Sequence, residues 1–107
     1  MTSYIKGIAY HVPDGKLTHE ELAIRFGSEQ MEKIAKSSGI YERRVAKDDE
    51  CASDFALESA KNLFNSFKIN PKEIEAILFA TQTPDFLLPT TACILQDKLG
   101  LPKSVAA

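Results

Sequence analysis

The chain has no tryptophan, only two cysteines, two methionines and two histidines, and five each of glycine and proline in 107 residues. Each shortage removes a class of protein. Cys51 and Cys93 lie in unrelated surroundings, with no CxxC partner and no histidine at ligand spacing, which excludes a disulfide framework and a zinc site. So little glycine and proline leaves no room for linker or low-complexity segments, and no internal repeat is visible. No apolar stretch approaches the ~20 residues of a membrane span. The first residues, MTSYIKGIAYHVPDG, lack a basic flank ahead of a long apolar run, so no secretory signal is expected. The formal net charge is only −2, and lysine and arginine form no stripe fit for a phosphate backbone. What remains is a soluble, reduced, cytoplasmic protein, with no metal and with neither nucleic acid nor membrane as a partner.

The composition that is present, 44% hydrophobic and 26% charged, is that of about one small globular domain. YIKGIAYHVP, residues 4–13, alternates around Ile5, Ile8, Tyr10 and Val12 and predicts a strand stopped by a turn at Pro13, Asp14 and Gly15. Thr18 and Glu21 have capping-box spacing, so a helix is expected up to Phe26 and Gly27. A second helix is expected with Ser28 as its cap, Met31, Ile34 and Ala35 on one face, and Gly39 just past its end. Residues 40–46 read as a short extended stretch, and the acids at 48–50 suit the entry of the helix that follows. That helix, residues 52 to about 67, places Ala56, Ala60, Leu63, Phe64 and Phe67 on one face. Asn70 and Pro71 signal one further helical turn.

AILFAT, residues 76–81, is an uninterrupted apolar run, as in a strand covered on both faces of a parallel sheet. Pro89, Thr90 and Thr91 then open a helix through Leu99, and SVAA at 104–107 begins another element. Strand alternates with helix, and residues 14–49 form a cap-like insertion before the first long helix. The expected class is α/β, layered as α/β/α, with right-handed crossovers. A doubly covered strand needs neighbours on both edges, and only one other good strand is visible. Either the chain is a fragment of a larger domain, the favoured reading, or another chain completes its sheet.

For chemistry, Cys93 invites attention because a thiol just inside a helix after a strand can be activated. Its neighbours Ala92, Ile94 and Leu95 are apolar, free cysteine is among the most buried residue types, and no base is near in sequence, so Cys93 is expected in the core. Cys51, beside three acids, is a poorer candidate still. His11 reads as a strand-end residue and His19 as exposed in a first helical turn. The acids at 48–50 read as a solvated helix entry and Arg43 and Arg44 as a surface or salt-bridge feature. The loop TQTPDFLLPTT leaves the C-terminal end of a predicted strand, where open α/β sheets place their ligands. Phe86, Leu87 and Leu88 are too apolar for an ordinary loop. They form a local core, meet another subunit, or line an apolar substrate pocket.

The segments GIAYHVPDGKLTHEEL, SSGIYERRVAKDDECASDFALESAKNLF and INPKEIEAILFATQTPDFLLPTTACILQDKLGLP come in the order and spacing of one family. Together they cover nearly the whole chain, which resembles the N-terminal part of β-ketoacyl-(acyl-carrier-protein) synthase III enzymes. The resemblance implies the N-terminal portion of a thiolase-like fold over residues 1–107, incomplete in this chain, in an enzyme that works as a homodimer. The implied reaction is a decarboxylative Claisen condensation. An active-site cysteine takes an acyl group from a thioester, and malonyl-(acyl-carrier-protein) loses carbon dioxide to give the carbanion that attacks it. The implied partners are acyl carrier protein and an acyl thioester, on coenzyme A or on a carrier; no cofactor is implied.

In this family the nucleophile follows the next strand and the catalytic histidine and asparagine lie further on, so no catalytic residue is expected in this chain, and the chain alone is expected to be inactive. Cys93 matches a non-catalytic position. Leu88 matches a residue pushed across the dimer interface to the floor of the partner's acyl pocket, with Phe86 and Leu87 beside it. Leucine there implies a longer or branched acyl group. Lys33 and Ser37 match coenzyme A entrance positions that often carry tryptophan and arginine. Their presence favours a specialised relative that takes its acyl group from a carrier protein, or that serves a polysaccharide, lipid or natural-product pathway. Two alternatives stand beside this reading: a thiolase-fold acyltransferase forming an ester or amide, and a non-catalytic α/β module that binds a partner through PDFLLP.

Overall fold

The computed structural model describes residues 2–107. The chain divides into two compact units, one of Met1–His11 with Glu50–Ala107 and the other of Val12–Asp49.

The Val12–Asp49 unit is a hairpin of strands closed around two helices. Strand β1 (Gly15–Thr18) pairs antiparallel with β2 (Glu42–Val45), with Gly15 opposite Val45 and Thr18 opposite Glu42. Helix α1 (His19–Phe26) starts as its capping box demands. The Glu21 backbone N–H donates to the Thr18 hydroxyl at 3.2 Å, and the Thr18 N–H donates to the Glu21 carboxylate at 2.8 Å. Helix α2 (Ser28–Ser38) follows after Gly27 and ends at Gly39, whose φ of 72° is the left-handed conformation that terminates helices without a Cβ penalty. Met31 and Ala35 form the buried face of α2. On its exposed side Lys33 pairs with Glu29 and Lys36 with Glu32; the second pair holds Glu32 below the usual carboxylate range and Lys36 above its ordinary value. Two expectations need correcting. Gly15 begins a strand where a turn was expected, because residues 42–45 offer it a full set of partners. Ser28 is the first helical residue, and Gly27, not Ser28, occupies the cap.

The second unit is built on helix α3 (Ala52–Phe67), which has the bounds its apolar face predicts. Asp54 caps it from within: the Cys51 N–H donates to Asp54 Oδ2 at 2.9 Å. A 3-10 turn follows (Pro71–Glu73), with the Asn70 side chain accepting from the Lys72 N–H. Helix α4 (Thr91–Lys98) has Thr90 as its cap, accepting from the Cys93 N–H. It packs against α3. Ser53 is fully buried, and Thr91, Ala92, Leu95, Leu101 and Val105 make the small core. The Gln96 amide donates to the carbonyls of Pro102 and Val105 at 2.9 and 3.1 Å, fastening the last turn to α4.

The predicted strands of this unit are only begun. Residues 4–13 form no ladder. Residues 7–11 run along α3 instead, with His11 stacked on Phe55, the Tyr10 carbonyl accepting from Asn62, and Gly7 against Phe67. A Cβ on Gly7 would come 2.7 Å from the Phe67 ring, so any larger residue there must displace that ring. Residues 76–81 carry one parallel bridge, Ala76 to Ala106, with the Ile77 N–H donating to the Ala106 carbonyl at 2.8 Å. That bridge, with α4 between its two sides, is the seed of a strand–helix–strand crossover. The expectation that residues 76–81 are covered on both faces is not met: Leu78 is 99% exposed. A strand exists only through its neighbours, and a single bridge cannot cover this one.

Candidate functional site

The loop between residues 79 and 92 belongs to the second unit and is held at several points. The Thr83 N–H donates to the Thr81 hydroxyl at 3.1 Å. Asp85 accepts from the Ser53 N–H at 3.3 Å, which places a carboxylate on the first turn of α3, where unpaired amides and the helix dipole favour negative charge. Ser53 is in turn tied to α4, because Lys98 Nζ lies 3.4 Å from its hydroxyl and 3.2 Å from Asp54 Oδ1. Asp54 lies below its ordinary carboxylate value, first through the Cys51 N–H and then through Lys98.

This anchoring shapes a concavity of about 220 Å³ lined by Phe79, Pro84, Phe86 and Leu87 on the loop side and by Thr91 and Ala92 of α4. The Thr91 hydroxyl is buried with no hydrogen-bond partner. Of the three apolar loop residues, Phe86 and Leu87 line the concavity while Leu88 does not; Leu88 precedes a cis proline and is 81% exposed. The walls can hold an apolar group and contain no acid, base or nucleophile arranged for chemistry.

Lys33 and Ser37 lie one helical turn apart on α2. Lys33 is engaged with Glu29 at 2.8 Å, and the Ser37 hydroxyl donates to the Ile34 carbonyl at 3.0 Å. They share a face and leave it polar.

Cys93 corrects the expectation of a core residue, because its side chain is exposed. The sulfur accepts from the Thr90 hydroxyl at 3.2 Å and approaches the Ala107 carbonyl at 3.8 Å. The buried face of α4 is set by Thr91, Ala92 and Leu95, and one residue of offset turns Cys93 outward. Among the described residues no hydrogen bond joins either cysteine to a histidine: His11 stacks on Phe55 and His19 lies against Tyr41. His19 is also corrected. It is half-buried, with Nδ1 out of contact with water and without a partner, and its backbone N–H donates to the Tyr41 carbonyl at 3.0 Å. Among the described residues no cluster of histidine, cysteine and acid could hold a metal ion, and no helix is long and apolar enough to cross a membrane.

Sequence reasoning missed a second cavity, of about 360 Å³, inside the Val12–Asp49 unit. The signal was there: Leu22 and Phe26 are four apart on α1, Met31 and Ile34 three apart on α2, and Leu17 is the inward residue of β1. It also missed Asp85 and Gln96, whose partners are backbone groups that no spacing reveals.

The geometry is that of one part of a thiolase-like fold. The chain is similar in structure and sequence to 3-oxoacyl-(acyl-carrier-protein) synthases. It matches a solved 3-oxoacyl-(acyl-carrier-protein) synthase III with 40% identity and a TM-score of 0.88, over 96% of this chain and 31% of that one. A 3-oxoacyl-(acyl-carrier-protein) synthase from Burkholderia xenovorans LB400 matches with 30% identity and a TM-score of 0.88, over 94% and 29%. OleA from Xanthomonas campestris matches with 26% identity and a TM-score of 0.80, over 95% and 33%. The chain thus spans about a third of the length of these structures. No family model matches the chain.

Proposed function

We propose that the chain is the N-terminal portion of a synthase III-like condensing enzyme. The parent joins an acyl thioester to malonyl-(acyl-carrier-protein): carbon dioxide leaves the malonyl group, the resulting carbanion attacks the acyl carbonyl, a carbon–carbon bond forms, and the enzyme's thiolate departs. In this reading the parent is a cytoplasmic homodimer in fatty-acid or related biosynthesis, and acyl carrier protein is its partner. The Val12–Asp49 unit is a cap-like insertion. Phe86, Leu87 and Leu88 form the acyl-pocket and dimer-interface segment, and Lys33 and Ser37 border the thioester entrance. In this reading the chain alone is inactive, because the nucleophile and its partners belong to the rest of the parent.

The observation that carries this reading is the 40% identity to a 3-oxoacyl-(acyl-carrier-protein) synthase III, held over 96% of the chain at a TM-score of 0.88. The exposed Phe86, Leu87 and Leu88, at 61%, 93% and 81%, support an interface or pocket role, because a run of large apolar side chains in water marks a surface that another surface covers. The test is to purify the product of the whole open reading frame and offer it acyl thioesters of several chain lengths with malonyl-(acyl-carrier-protein). Release of carbon dioxide with a β-ketoacyl thioester supports the proposal. An ester or amide product, or no turnover with any acyl donor, rejects it. Leu88→Phe should shift the preference towards shorter acyl groups, and an unchanged profile removes Leu88 from the pocket.

A further inference from the structure

The Val12–Asp49 unit carries a pocket, open on one side, of about 360 Å³, within the range of small-molecule sites, roughly 300–1,000 Å³. Its walls are Leu17 of β1, Leu22 and Phe26 of α1, and Gln30, Met31 and Ile34 of α2. Arg43 of β2 also lines it, and Arg43 Nη1 is buried with no hydrogen-bond partner. A guanidinium nitrogen cut off from water and left unpaired is costly, and a carboxylate relieves that cost best because its two oxygens match the guanidinium fork.

Four of the eight carboxylates in this unit are engaged elsewhere. Glu21 accepts from the Thr18 N–H, Glu29 pairs with Lys33, Glu32 with Lys36, and Glu42 with Lys16 and Arg44. A second guanidinium, that of Arg25, lies 5.2 Å over the ring of Phe26, so another cation stands by the same wall. Largely apolar walls and a buried, unpaired guanidinium nitrogen define the chemistry of the occupant.

We propose that this cavity binds a single-chain alkyl carboxylate, with the chain against Leu17, Leu22, Phe26, Met31 and Ile34 and the carboxylate on the guanidinium of Arg43. The site belongs to the Val12–Asp49 unit and does not depend on the condensation reading, which concerns the loop of the other unit.

The test titrates the chain with decanoate, decanol and acetate below micelle-forming concentrations, following the methyl resonances of Leu17, Leu22, Met31 and Ile34. Decanoate should give saturable shifts confined to those methyls, decanol should bind about tenfold more weakly, and acetate should leave them unmoved. Arg43→Leu should lower decanoate affinity to that of decanol, and Ile34→Trp, which fills the cavity, should abolish both. Decanol binding as tightly as decanoate overturns the proposal in the unaltered chain, whatever the variants do to folding. So does decanoate binding that Arg43→Leu leaves unchanged. Shifts of the same methyls with protein concentration alone would assign the cavity to a second copy of the chain and overturn it equally.

Discussion

Asp54 joins three parts of its unit, and its removal can be worked through bond by bond. Its carboxylate accepts the Cys51 N–H at 2.9 Å and meets Lys98 Nζ at 3.2 Å, so it both caps α3 and links α3 to α4. Losing a side chain that satisfies an end-of-helix amide costs about 1 kcal/mol. The Lys98 pair adds little: both side chains are around two-fifths exposed, at 39% and 45%, and exposed pairs contribute about 0–1 kcal/mol. Asp54→Ala should therefore destabilise the chain by about 1–1.5 kcal/mol in urea unfolding at neutral pH. Asp54→Asn keeps an acceptor for Cys51 and loses the charge together with the oxygen that meets Lys98, so about 0.5 kcal/mol is expected.

The pH dependence follows from the lowered pKa. Because the folded carboxyl titrates below its ordinary value of 3.8, its extra stabilisation is fully present above that value. It is lost as pH falls through the folded pKa. The gap between the native chain and Asp54→Asn should close in that acid range. A gap that is constant from neutral pH down through it would show that the charge plays no part and that the link to Lys98 is incidental.

Gln96→Leu leaves the carbonyls of Pro102 and Val105 without their side-chain donor, and a loss of about 1–3 kcal/mol with faster amide exchange at residues 101–106 is expected. Gly7→Ala pushes a methyl group to 2.7 Å from the Phe67 ring; about 1–3 kcal/mol of destabilisation should appear in urea unfolding, with the Phe67 ring resonances displaced.

The helices were legible in the sequence because their signals are local. Thr18 and Glu21 are three residues apart, so the capping box is written in the chain itself, and Gly39 marks an end by what it lacks. The 52–67 helix was read to the residue because its apolar face repeats over several turns. The sheet was not legible, because pairing is a property of two segments. Gly15 looks like the end of a turn until 42–45 are set beside it, and residues 76–81 look like a finished strand until their single bridge to Ala106 is seen. Cys93 failed for a related reason: apolar neighbours fix the character of a helix but not which side of it faces the core. The pocket beside Arg43 escaped notice because its lining comes from four elements, none contributing more than three residues.

The half-formed strand carries a further argument. Along residues 76–80, Ile77 and Phe79 are half-buried while Leu78 and Ala80 face water. Residues 7–10 repeat the pattern, with Gly7 and Ala9 half-buried and Ile8 and Tyr10 exposed at 77% and 78%. Alternation of period two with apolar residues on both sides is what a sheet between two layers requires, and here one layer is supplied. In the chain by itself Leu78 is a surface residue, so Leu78→Lys should change stability by no more than about 0.5 kcal/mol and should lessen self-association. Where a second layer covers that face, the same substitution buries an unpaired ammonium and should abolish the folded state or force the layer open. Measuring Leu78→Lys in the chain and in the product of the whole open reading frame separates the two situations. Equal, small effects in both would mean that the outer face of residues 76–81 stays open to water, and the layered reading of this sequence would fail.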